Sequence, residues 1–170
     1  MKIKRPSIFI IVLFLIAGYF IFPWVAMSVV RAISPNPPQP EIKYGEFPFR
    51  LVYDIRGEQK VVEDAVICEY DGIAMNEGVG KYRKWKSSLM SNNEEYIVLL
   101  SLFDGRKIVY PFGNADYYMG EDKTEYYLFP NAIILRNNGS NLIRAAELKK
   151  EYDIELISWE ASPAIQNTFR

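Results

Sequence analysis

The chain has 170 residues, with 20 Lys and Arg against 21 Asp and Glu, no histidine and a single cysteine, Cys68. The missing histidine removes the commonest general base and the commonest metal ligand, and one cysteine excludes an intramolecular disulfide. Four of the basic residues (Lys2, Lys4, Arg5, Arg31) and none of the acidic ones fall in the first 40 positions. The remainder therefore carries 16 basic against 21 acidic residues, a balance of −5. An acidic domain is poorly suited to displace counterions from phosphates, which argues against a nucleic-acid partner.

After a basic tip at residues 1–7, residues 8–30 form a run of 23 positions without a charged side chain. As a helix the run is roughly 34 Å long at about 1.5 Å per residue, enough for a hydrocarbon core of about 30 Å. Lys2, Lys4 and Arg5 before it place the N-terminus in the cytoplasm by the positive-inside rule, so the rest of the chain is expected outside a cell membrane crossed once. Trp24 is suited to the outer interface, and Pro23 is expected to kink the helix or shorten its regular part. Ala26-Met27-Ser28 has the small residues of a signal-peptidase site. The run exceeds the about 7–15 apolar residues of a cleaved signal, which favours an uncleaved signal anchor. Membrane lipid is thus the first expected partner, through residues 8–30.

Residues 31–44 read as a linker. Four prolines between Ser34 and Pro40 favour a polyproline II spacer of roughly 20 Å. Residues 45–170 then form one domain, large enough for a core of its own. Residues 47–55 alternate, with Phe47, Phe49, Leu51, Tyr53 and Ile55 on one face, as in a half-buried strand. Pro48 points to an edge or a strand end. Arg56-Gly57-Glu58 is the turn into a return strand at 59–70. Further strands are expected at 81–86, 96–103, 106–112, 126–129, 132–136 and 154–159. Asp104-Gly105 is the strongest hairpin signal, read as a type I′ turn with positive φ at both positions, and its hairpin is taken as the centre of the core. Asn138-Gly139 marks another turn. The one soluble helix is expected at 145–152, where Ala145, Leu148 and Tyr152 share a face and Lys149 and Lys150 complement the helix dipole. The tail beyond Pro163 reads as irregular. The fold class is mainly β (α+β): a single N-terminal transmembrane helix, then an antiparallel β-rich domain with one short helix near its end.

The candidate contact residues are Lys81, Tyr82, Arg83, Lys84, Trp85 and Lys86. As a strand they put Lys81, Arg83 and Trp85 on one face and Tyr82, Lys84 and Lys86 on the other. Aromatic faces stack on sugars or cations, and the cations attract phosphate. The plainer reading, and the favoured one, is an edge strand kept from aggregation by lysines. Tyr117 and Tyr118 offer a second groove wall or a rim of the core. Their neighbours Asp116, Glu121, Asp122 and Glu125 lack the D-x-D-x-D-G spacing of a calcium loop and read as a solvated acidic segment. Cys68 reads as a buried, inert thiol. Neither S-x-x-K nor G-x-S-x-G occurs, so no catalytic residue, metal or cofactor is expected.

The anchor, Cys68-Glu69-Tyr70-Asp71-Gly72, Met75-Asn76-Glu77-Gly78, Gly80 to Lys86, Tyr117-Tyr118-Met119-Gly120 and Leu156-Ile157-Ser158-Trp159-Glu160 together resemble small signal-anchored proteins of Gram-positive bacteria. The resemblance implies a compartment and no activity. The expected function is a non-catalytic binding or interaction module of the cell envelope, contacting a glycan, a peptide or a membrane-protein partner. The alternatives are a carboxylate-based envelope hydrolase and an accessory subunit of a membrane complex.

Overall fold

The computed structural model describes residues 8–76, 78, 80–124 and 128–170; within the first helix it leaves out the side chains of residues 8–11, 14, 30 and 31. The chain divides into two compact units. One comprises Met1–Pro37 with Ile73–Arg83, the other Pro38–Gly72 with Lys84–Arg170.

In the first unit, helix α1 (Ile8–Ile33) runs for 26 residues, without interruption at Pro23. The Ser28 hydroxyl donates to the Trp24 carbonyl one turn back, at 2.8 Å. Large apolar side chains stand exposed at successive positions, among them Tyr19, Phe20, Phe22 and Trp24. Among the described residues no helix is long and apolar enough to cross a membrane. The same unit holds an arm made of residues 73–83. From it, Lys81 Nζ donates to the Ser34 carbonyl at 2.7 Å and to Asn36 Oδ1 at 3.0 Å, so part of the proline segment is fastened rather than free.

The second unit is mainly β, built on two antiparallel four-stranded sheets. Strands β1 (Tyr44–Ile55), β2 (Glu58–Asn76) and β3 (Gly80–Leu89) combine with β8 (Ile154–Ala161) in the order β3-β2-β1-β8. Strands β4 (Ile97–Ser101), β5 (Lys107–Tyr110), β6 (Ala132–Arg136) and β7 (Gly139–Ile143) form the other sheet in chain order. Helices α2 (Ala115–Tyr118) and α3 (Ala145–Tyr152) complete the unit.

Period-2 burial along β1 puts Phe47, Phe49, Leu51 and Tyr53 into one hydrophobic cluster. Val66 and Cys68 of β2, Ile108 and Tyr110 of β5 and Leu148 of α3 join it from other elements. Each of the large aliphatic and phenylalanine side chains contributes about 1.5–3 kcal/mol by leaving water. Trp159 of β8 marks the seam between the sheets, with its ring 5.0 Å from Phe49 of its own sheet and 5.0 Å from Tyr110 of the other.

Several local features differ from the sequence reading. β1 is an interior strand, not an edge. Pro48 is tolerated there because the pairing with β8 begins only at Phe49, and the chain beyond β8 returns a bond from the Ser162 N–H to the Pro48 carbonyl at 2.9 Å. Arg56-Gly57 has positive φ at both positions, 56° and 79°, as a type I′ turn requires. Asp104-Gly105 does not: only Gly105 is positive, at 82°. The Leu102 N–H donates to the Arg106 carbonyl and the Gly105 N–H back to the Leu102 carbonyl. The loop is therefore three residues long, with Gly105 as its left-handed member. The segment after Phe112 is no solvated loop, since Ala115, Tyr118 and Met119 are buried.

The tail lacks regular structure but is tied down. Gln39 and Arg170 exchange backbone hydrogen bonds at 2.8 and 3.0 Å, and the Glu41 N–H donates to the Thr168 carbonyl at 2.9 Å. The Asn167 amide both accepts from the Ile42 N–H and donates to the Ile42 carbonyl. Farther in, the Ile165 N–H donates to the Tyr118 carbonyl.

Candidate ligand-contact edge

β3 is the terminal strand of its sheet, so one row of its backbone groups faces away from the ladder, the position at which lysines guard against edge-to-edge pairing. The unit boundary after Arg83 divides the predicted contact residues. Lys81, Tyr82 and Arg83 belong to the arm. Lys81 is half-buried on Ser34 and Asn36, and Tyr82 is exposed.

In the second unit, Lys84, Trp85 and Lys86 alternate as a strand dictates: the two lysines are exposed and Trp85 is buried. Lys84 Nζ and Lys86 Nζ, on the same face, reach the two oxygens of Asp71 at 2.6 and 2.9 Å. The Lys84 hydrogen bond, seconded by that from Lys86, holds the Asp71 carboxyl below the usual aspartate range. Two cations thus share one carboxylate. Sequence pattern singled out the lysines but not Asp71, which lies on the neighbouring strand β2, past the expected return strand at 59–70.

Trp85 is not available for stacking on a ligand. Its indole Nε1 donates to Glu121 Oε2 at 2.7 Å, and its ring meets the Tyr70 edge at 5.4 Å. Tyr118 is likewise structural, its hydroxyl donating to the Phe112 carbonyl at 2.7 Å and its ring 4.8 Å from Phe47. Tyr117 is half-buried, with its ring 5.5 Å from that of Tyr118. The Trp85–Glu121 bond does join β3 to the turn after α2, so the two predicted aromatic segments are neighbours, through their inner rather than their outer faces.

Around that turn, burial raises the Asp116 carboxyl, and Glu121 and Asp122 add to the rise. Burial, then Asp116, pushes the Cys68 thiol up to about 12, as an inert core cysteine requires. A carboxyl raised on folding stabilises the folded state most at low pH, and that contribution is lost as pH rises through its folded-state value. Asp116→Asn is accordingly expected to raise the melting temperature at pH 7, with the gap to the parent protein closing below about 3.8, where the ordinary aspartate value lies. Melting curves across pH 3–8 read this directly.

A crevice lined by three carboxylates runs between Pro48–Arg50, Glu63–Asp64 and Glu160–Ser162, with a volume near 450 Å³. Two of its acids are engaged. Glu63 accepts from Arg50 Nε at 3.1 Å, and Asp64 accepts from the Ala65 N–H and the Ser91 hydroxyl. Among the described residues, no group of three or more acids and cysteines could hold a metal ion. Compared with known proteins, the chain matches no family model, no curated protein sequence and no solved structure.

Proposed function

We propose that the chain is a single-pass, signal-anchored module of a bacterial envelope, with its β unit on the outer side, no catalysis of its own, and the Lys84–Asp71–Lys86 edge as its contact with an anionic envelope polymer. The observation that carries the anchor is α1. It exposes Leu15, Tyr19, Phe20, Phe22 and Trp24 together, and a helix apolar all round is stable only where something other than water covers it. The 23-residue run free of charge supports a span, and the basic tip supports the orientation. The contact edge is supported by two exposed ammonium groups on an open strand edge, with Trp85 locked beneath them.

Protease added to intact spheroplasts is expected to degrade residues 41–170 and to spare the tip; full protection overturns the topology. The full chain in detergent is expected to retain anionic wall polymer at low salt. The double variant Lys84→Gln/Lys86→Gln is expected to lose about thirtyfold in retention, since each surface cation adds about 1 kcal/mol toward an anionic surface. Retention unchanged by that variant removes the edge from the reading. Capture of a membrane complex alone, on crosslinking in cells, turns it into an accessory subunit.

A further inference from the structure

Within the first unit, the last turns of α1, the start of the proline segment and the arm border an open cavity of about 560 Å³, lined by Ser28, Ala32, Asn36, Ile73, Met75 and Lys81 among others. That volume lies in the about 300–1,000 Å³ range of sites for small ligands. The space exists because the helix presents small side chains here, Ser28 and Ala32, one turn apart. Its lining is of two kinds: Ile73 and Met75 are apolar, whereas Asn36 and Lys81 are polar.

Lys81 is the unusual member. It is half-buried, yet its ammonium donates to two neutral acceptors, the Ser34 carbonyl and Asn36 Oδ1. Among the described residues no salt bridge joins it to a carboxylate. A partly desolvated cation with a third N–H to give favours an anion beside it. The helix side of the cavity, Ser28 to Ala32, brackets the end of the uncharged run at Val30, the level at which a membrane helix meets lipid headgroups.

We propose that this cavity is a lipid site, holding the phosphate of an anionic phospholipid against Lys81 and the glycerol end of its chains against Ile73 and Met75. This rests on the anchor reading above. The test uses the full chain in a neutral detergent, with lipid retention followed by native mass spectrometry as phosphatidylglycerol, phosphatidylcholine or inorganic phosphate is added. One phosphatidylglycerol is expected to be retained in preference to phosphatidylcholine. Lys81→Gln is expected to weaken that retention about fivefold, the effect of one cation near an anionic surface, and Lys81→Arg to preserve it. Inorganic phosphate that binds as well as the lipid overturns the proposal in favour of a free-anion site. Equal retention of the two lipids, or loss in both Lys81 variants, overturns the headgroup contact. Alkaline extraction of membranes separates the two readings. A chain that stays with the lipid but shows no dependence on Lys81 defeats this site alone, whereas a chain that is extracted defeats the anchor and the site together.

Discussion

Trp85→Ala is expected to lower the unfolding free energy by roughly 3–5 kcal/mol, the range for deleting a large buried aromatic side chain. Trp85 is only 8% exposed and packs against Tyr70. Its removal also leaves Glu121 without the indole N–H that it accepts at 2.7 Å. Trp85→Phe keeps most of the apolar area and loses the hydrogen bond, so it is expected to cost roughly 1–3 kcal/mol. Urea unfolding of the parent and both variants measures the series. The order of the three decides what this tryptophan is for. A ligand-stacking residue on a charged strand would give the opposite result: binding lost in the alanine variant with stability unchanged.

Gly120→Ala is the second large effect, expected at roughly 2–4 kcal/mol from backbone strain and a clash combined. Gly120 has φ +73°, and a Cβ there would lie 2.5 Å from the Ile165 carbonyl oxygen and 3.1 Å from the Asn167 nitrogen. Both are backbone atoms, so the tail must move. Gly57→Ala is the matched control: φ is +79°, but no atom lies within 4 Å of the added carbon. It is expected to cost only about 1–2 kcal/mol, the left-handed penalty alone. Amide exchange at Ile165 separates the two variants, because only the Gly120 substitution should expose it. Equal losses and unchanged protection at Ile165 would mean that the tail contributes nothing.

What the sequence conveyed depended on how local each signal was. The alternation in β1, the Arg56-Gly57 turn and the 145–152 helix are written in adjacent residues, and all three form as read. The 139–143 strand was missed because Gly139, Ser140, Asn141 and Leu142 are exposed, so no buried face imposed a period. Of the expected strand at 126–129, residues 126 and 127 lie outside the described residues, and Leu128 and Phe129 are not in a strand. Asp104-Gly105 named a hairpin correctly and its turn type wrongly, because the same dipeptide fits the end of a three-residue loop. The contact edge was half legible. A run of cations at a spacing of two is visible in one dimension, but their shared carboxylate comes from another strand. The inward turn of Trp85 and Tyr118 likewise depends on partners 36 and 6 residues away.

The tail pairing also bears on what happens when the protein is pulled. Were α1 held in a bilayer and the second unit bound to a polymer, as proposed above, tension would enter that unit at Pro38 and also at Gly72 and Lys84, where residues 73–83 join it. The first bonds in its line are those between residues 39–42 and 167–170. Only behind them does the load reach β1, which lies between β2 and β8 with a ladder on each side. The tail is thus a buckle in series with a strand that is loaded in shear along both its edges. Under force applied through Pro38 the buckle is expected to open before either sheet, lengthening the tether by a few residues.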